Sequence, residues 1–279
     1  MIKKVNPSES VFIIKPLTKW NFLDFGALIE YRDLFFFLVW RDIKVMYAQT
    51  ILGFSWALLQ PVIQIVLFSV IFGKVAKIST DGIPYVLFVG VGIIPWTYMS
   101  QAMSQASQSL IRNQQMLGKI YFPRQFYPIT PILSRLIDFG ISLIIIVILL
   151  IYYHVLPTFQ LLLLPFFGLL MIMISLGVGM WLSSLSIRFR DVKYALVFIL
   201  RMLMYTAPIV YSASSISGKY RLLYSFNPIV GVIEGFRACL LGTPIPWPFI
   251  WPGVLAAFVL FFSGALYFQM TERIFVDVI

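Results

Sequence analysis

Six runs of roughly 20 mostly apolar residues constrain this chain most, because helices of that length match the apolar core of a bilayer. They fall at residues 52–72, 85–106, 131–153, 159–186, 195–211 and 249–268. Backbone in lipid must satisfy its own hydrogen bonds, so each run is expected to be a helix. Composition points the same way: 60% of the 279 residues are hydrophobic and only 11% are charged. Soluble domains carry about 25% charged residues, and this chain has too little polar surface to meet water. The expected fold class is all-α, a polytopic membrane protein forming one transmembrane domain over residues 1–279. Within it, residues 1–50 are an N-terminal segment, 51–270 a six-span bundle and 271–279 a tail. No cleavable leader is expected, because the apolar stretch from Leu34 to Trp40 is short and framed by charges.

Lys and Arg set the orientation. Fourteen lie before the first run, in the second-to-third and fourth-to-fifth connections and in the tail; five lie on the other side (Lys74, Lys77, Lys219, Arg221 and Arg237). Both termini are therefore expected on the cytoplasmic face of the cytoplasmic membrane. The net charge of +10 follows from this parking of basic residues between apolar runs and gives no reason to expect nucleic acid. The single cysteine, Cys239, excludes an internal disulfide and a cysteine-based metal cluster.

Two further segments are not expected to span. Over residues 28–48, Glu30, Asp33, Arg41 and Lys44 fall within a stripe of roughly 80°, with Phe35, Phe36, Val39, Trp40 and Ile43 largely outside it. Phe37 interrupts the pattern, which is that of a helix lying in the membrane interface. Residues 212–248 are punctuated by glycine and proline. They are expected to re-enter from the outer side, with a short helix near 229–241.

Few residues carry chemistry. No G-x-x-x-x-G-K-[ST] is present, so the chain is not expected to hydrolyse ATP. His154 is an interfacial residue at the outer end of the third run. Asp138 follows Arg135 by three residues, and Arg237 follows Glu234 by three, the spacing of ion pairs on one helix face. Arg201 sits amid Ile199, Leu200, Met202 and Leu203. A charge there costs at least about 2.5–3.5 kcal/mol unless it faces protein or water. Two readings stay open for it: an anion-attracting channel residue, or a structural partner of Asp138 or Asp191. Trp56, Tyr205 and Tyr211 are candidate channel aromatics.

Four motifs then resemble one family, in its order, from about residue 30 to 245. They are Trp40-Arg41-Asp42-Ile43-Lys44 with Gln49-Thr50-Ile51-Leu52-Gly53 and Trp56-Ala57-Leu58-Leu59-Gln60-Pro61; Lys119-Ile120-Tyr121-Phe122-Pro123-Arg124; Arg188-Phe189-Arg190-Asp191-Val192; and Asn227-Pro228 with Glu234-Gly235-Phe236-Arg237. The chain resembles the membrane permeases of polysaccharide-export ABC transporters, which export O-antigen, capsule and teichoic acid. Met46 and Ala48 depart from a basic pair common in relatives.

The resemblance implies a homodimer in membrane lipid, paired with two copies of a separate ABC ATPase that holds ATP and Mg, no cofactor being bound by this chain. It implies that residues 31–47 and the loop bearing Gln114, Leu117, Lys119, Tyr121, Phe122 and Pro123 contact that ATPase. Arg41 and Lys44 would attract a lipid-linked pyrophosphate, and residues 215–241, with Asn227, Pro228, Glu234 and Arg237, would form an outer gate. The substrate implied is a glycan on a polyprenyl-pyrophosphate lipid. The alternative is a permease of the same architecture for small hydrophobic drugs or lipids. A secondary transporter would need repeats and an unpaired midplane carboxylate, and a membrane glycosyltransferase would need a carboxylate-rich loop.

Overall fold

The computed structural model describes residues 25–80, 82–117, 123–156, 158–216, 218 and 220–272, and every regular element among them is helical. The chain enters through α1 (Phe25–Glu30) and α2 (Arg32–Tyr47), which break at Tyr31 (φ −99°, ψ 21°) where the pattern predicts one helix. Next come α3 (Ser55–Val75), whose last seven residues loosen into π-helix, α4 (Tyr85–Ser107), and the short α5 (Ser109–Arg112) and α6 (Gln114–Leu117). The rest is α7 (Phe126–Tyr152), α8 (Phe159–Arg188), α9 (Val192–Thr206), α10 (Tyr220–Ser225), α11 (Pro228–Leu241) and α12 (Trp247–Glu272).

Five helices, α3, α4, α7, α8 and α12, are long and apolar enough to cross a membrane, and each overlaps an expected span. The exception is the run expected at 195–211, which is the 15-residue α9. At about 1.5 Å per residue it covers roughly 22 Å, short of the roughly 30 Å apolar core. Pro208 explains the early stop. Its ring disfavours the helical region for the preceding residue, and Ala207 is extended at φ −81°, ψ 146°.

Helix α4 is the centre of the bundle, packed against α3, α7, α8, α9 and α11. Of its most apolar window 78% is buried, against 17% for α3. Lipid gives helices no hydrophobic reason to associate, so close packing through small residues does the work. The crossing of α8 and α12 illustrates it: a Cβ on Gly177 would lie 2.6 Å from the Leu260 carbonyl oxygen, and one on Gly264 would collide with the Gly177 carbonyl.

The expected short helix near 229–241 is α11. Asn227 accepts the Ile229 N–H at 3.1 Å and Pro228 opens the first turn, while Gly242 closes the helix at φ +69°. Every residue from 229 to 240 is buried, as befits a helix that is apolar all round.

The first and last described helices share one end of the bundle. Ser134 on α7 donates to the Val39 carbonyl of α2 at 3.2 Å, and Arg124 donates to the backbone oxygen of Glu272. The chain connecting α9 to α10 lies at the opposite end, where Tyr85 donates to the Val210 carbonyl at 2.8 Å.

Candidate functional site

A polar edge runs along the otherwise buried α4. Between Val91 and Gln108, the only residues with appreciable exposure are Thr97, Ser100, Gln101, Ser104, Gln105 and Gln108. Their spacing of three and four puts them on one face of the helix. Thr97 is anchored by donating to the Ile93 carbonyl at 2.8 Å, and it reaches Gln64 of α3 at 3.3 Å. Sequence reasoning missed this edge, although the T-x-x-S-Q-x-x-S-Q-x-x-Q repeat from residue 97 to 108 is legible.

Three adjoining clefts open along it. One, between α3, α4 and α9, is lined by Gln64, Trp96, the α4 edge, Arg112 and Arg201. A second shares Gln101 with the first and adds Trp56, Gln60, Arg135 and Asp138. A third, toward the α2 end, shares Gln105 and Arg112 with the first and adds Arg41, Asp42, Asn113 and Arg135. Together they form one furrow with cations concentrated at the α2 end.

Those cations differ in whether they are already engaged. Arg135 pairs with Asp138 at 2.5 Å, as its spacing predicts, and Tyr47 of α2 donates to the same carboxylate. Arg41 turns inward, away from the polar stripe expected of α2. It donates to Asp42 at 2.9 Å, to Asn113 at 3.0 Å and to the Met116 sulfur at 3.3 Å. Leu38 and Ile43 are the buried residues of α2, while Phe36, Phe37 and Trp40 are exposed. Lys44 is exposed, 5.5 Å from the Trp40 ring centre. Arg201 makes no ion pair with Asp138 or Asp191, and among the described residues neither it nor Arg112 has a side-chain partner. Neither ion pair expected of a structural role for Arg201 is present among the described residues, and its side chain lines the first cleft.

The opposite end is built differently. Arg237 pairs with Glu234 at 2.9 Å, again as spacing predicts, with 3% and 11% of their side chains exposed. Its second Nη donates to the Ile209 carbonyl at 2.9 Å, and its guanidinium carbon lies 3.5 Å from the Phe88 ring centre. Glu234 also accepts the Ala213 N–H at 3.1 Å. Tyr224 donates to the Tyr211 hydroxyl at 3.2 Å, and burial with that bond holds the Tyr224 phenol well above its ordinary range. The pair thereby latches the extended segment that follows α9. Cys239 is wholly buried on the same helix, which pushes its thiol up to about 11.

The remaining expected residues fall as follows. Tyr205 is exposed on α9, and Tyr211 donates back to the Tyr205 and Thr206 carbonyls at 3.3 and 3.2 Å. Gln114 is exposed at the start of α6, Leu117 ends that helix, and Pro123 precedes α7. Lys119, Tyr121 and Phe122 lie outside the described residues. No group of three or more His, Cys, Asp or Glu that could hold a metal ion occurs among the described residues.

Comparison with known proteins adds a family and several relatives. The ABC-2 type transporter family matches residues 33–241. An O-antigen export system permease protein RfbA of Myxococcus xanthus is 26% identical over 221 residues, covering 78% of this chain and 84% of that protein. One of the same name from Klebsiella pneumoniae is 23% identical over 248 residues, covering 88% and 95%. The polysialic acid transport protein KpsM of Escherichia coli is 24% identical over 209 residues, covering 72% and 78%.

Proposed function

The chain belongs to the ABC-2 type transporter family, and from that premise we propose that it is the permease subunit of a polysaccharide exporter. It moves a glycan outward across the cytoplasmic membrane, a reading supported by relatives named for O-antigen export and polysialic acid transport. The polyprenyl diphosphate carrier is what the resemblance of its motifs implies. The observation that carries this reading is the neutral polar edge of α4, open along the helix and continuous with the arginine-lined clefts. Amides and hydroxyls exchange hydrogen bonds with passing sugar hydroxyls at little cost, since each net bond is worth only about 1 kcal/mol. Trp56, half-exposed beside Gln60, offers a ring face for sugar C–H groups. A small-drug permease would instead want a mainly apolar pocket.

Energy comes from a separate ABC ATPase, two copies to two of this chain, docking on α6 and the residues up to Pro123. The bonds from Arg41 to Asn113 and Met116 would carry that movement into α2. A second copy of this chain would cover the open side of the furrow, where the polar edge and Arg201 would otherwise face lipid. The α2 end lies in the cytoplasm and the Glu234–Arg237 latch near the outer surface, where it holds the gate segment in place.

Deleting the chain from its host tests the reading. Surface polysaccharide should disappear while lipid-linked glycan accumulates inside, and the chain supplied with its ATPase should restore export. Unchanged surface glycan would overturn the assignment.

A further inference from the structure

The first cleft holds two guanidinium groups, Arg112 at the end of α5 and Arg201 about two-thirds of the way along α9, and among the described residues no carboxylate lines it. Both lack side-chain partners among the described residues, although the bundle pairs its other furrow arginines, Arg41 and Arg135, with Asp42 and Asp138. An unpaired arginine in an apolar helix is costly and calls for water or an anion to meet it. Two guanidiniums facing one cleft raise that demand, since like charges repel until something negative sits between them.

We infer that Arg112 and Arg201 together bind a diphosphate ester, with Gln64, Gln101 and Gln105 donating to its less charged oxygens. The assignment rests on the export reading above and moves the anion site from the Arg41–Lys44 corner that the resemblance implies to the membrane-embedded cleft. Three features carry it. Guanidinium forks match phosphate oxygens in pairs. No acid among the described residues of the lining repels the ligand. The cleft volume, about 480 Å³, falls within the range of small-ligand sites. A headgroup held there also leaves the attached chain at the start of the α4 edge, so the anion enters the furrow ahead of its cargo.

The test uses the permease with its ATPase in phosphatidylcholine nanodiscs, titrated with farnesyl diphosphate, farnesyl monophosphate and inorganic pyrophosphate. The wild type should bind the diphosphate lipid at least tenfold more tightly than the monophosphate. Arg201→Gln and Arg112→Gln should each weaken diphosphate binding at least tenfold. Arg201→Lys should keep part of it, and Lys193→Gln, which removes a charge from the exposed start of the same helix, should change Kd less than twofold. Unchanged thermal unfolding of the variants assigns the loss to the site. Equal binding by both glutamine variants and the wild type would overturn the proposal, as would no binding by the wild type. Pyrophosphate binding as tightly as farnesyl diphosphate would make the ligand a free anion and overturn the lipid headgroup as its source. A deletion strain that loses surface glycan, combined with glutamine variants that bind normally, would leave the export reading intact and remove this site alone.

Discussion

Arg237 and Arg201 both sit in otherwise apolar helices and have opposite situations. Arg237 is buried, paired with Glu234, bonded to the Ile209 carbonyl and stacked on Phe88. Arg201 is exposed on α9, and among the described residues it has no side-chain partner and faces a cleft lined by no carboxylate. The first is a piece of architecture: its charge is consumed in holding the segment after α9. The second is engaged by no described side chain, which on the reading proposed above leaves its charge available to a ligand. Location in a membrane domain therefore does not tell a structural arginine from a functional one. The occupancy of its donors does.

Mutating each should separate the two roles, and the largest effect should come from the latch. Arg237→Met strands the Glu234 carboxylate in a buried site, which should cost about 3–5 kcal/mol and deplete the folded complex. Glu234→Gln with Arg237→Met should recover much of it. Size-exclusion profiles and unfolding temperature in detergent measure both, and a fully stable single variant would contradict the latch.

Arg201→Leu should show the reverse. Removing an unpaired charge from an apolar helix should leave folding equal or slightly improved. Export should fall roughly 10- to 100-fold, the worth of a charge-assisted hydrogen bond at about 1.5–3 kcal/mol. Surface glycan per folded complex is the measurement, and undiminished export would take Arg201 out of the path.

A smaller effect is expected from the neutral edge. Gln101→Leu and Gln105→Leu should each slow export a few-fold without loss of stability, because each removes one exchangeable bond of about 1 kcal/mol. Full activity in the double variant would show that the α4 edge is not where sugars travel.

The smallest effect should come from the tie between α2 and the loop ahead of α7. Asn113→Ala removes one half-buried bond to Arg41 and should cost about 1 kcal/mol, seen as reduced export per ATP hydrolysed by the complex. Unaltered coupling would mean that α2 moves independently of that loop.

Much of this was legible in the residues. Glycine and proline punctuation placed a short helix near 229–241, within a residue of α11, and the structure shows Asn227, Pro228 and Gly242 bounding it. The spacings of Arg135 with Asp138 and of Glu234 with Arg237 gave two of the four ion pairs among the described residues, because helix geometry alone brings such positions together. The polar edge of α4 was equally open to a periodicity reading, but hydropathy averaged over a window hides a narrow stripe inside an apolar run. The early end of α9 was signalled by Pro208 and outweighed in the same averaging.

By itself, then, the sequence determined the helical membrane architecture, the positions of five helices long and apolar enough to cross a membrane and the local pairs, all of which depend on composition and on contacts a few residues apart. Only the tertiary structure decided which charges remain unspent. Arg41 meets Asn113 across 72 residues and Arg237 meets Ile209 across 28, distances at which no helical period carries information. Arg112 and Arg201, far apart in the chain, came to share one cleft because α9 packs beside α4. Their lack of side-chain partners among the described residues is a property of the bundle, since it depends on the described carboxylates lying elsewhere.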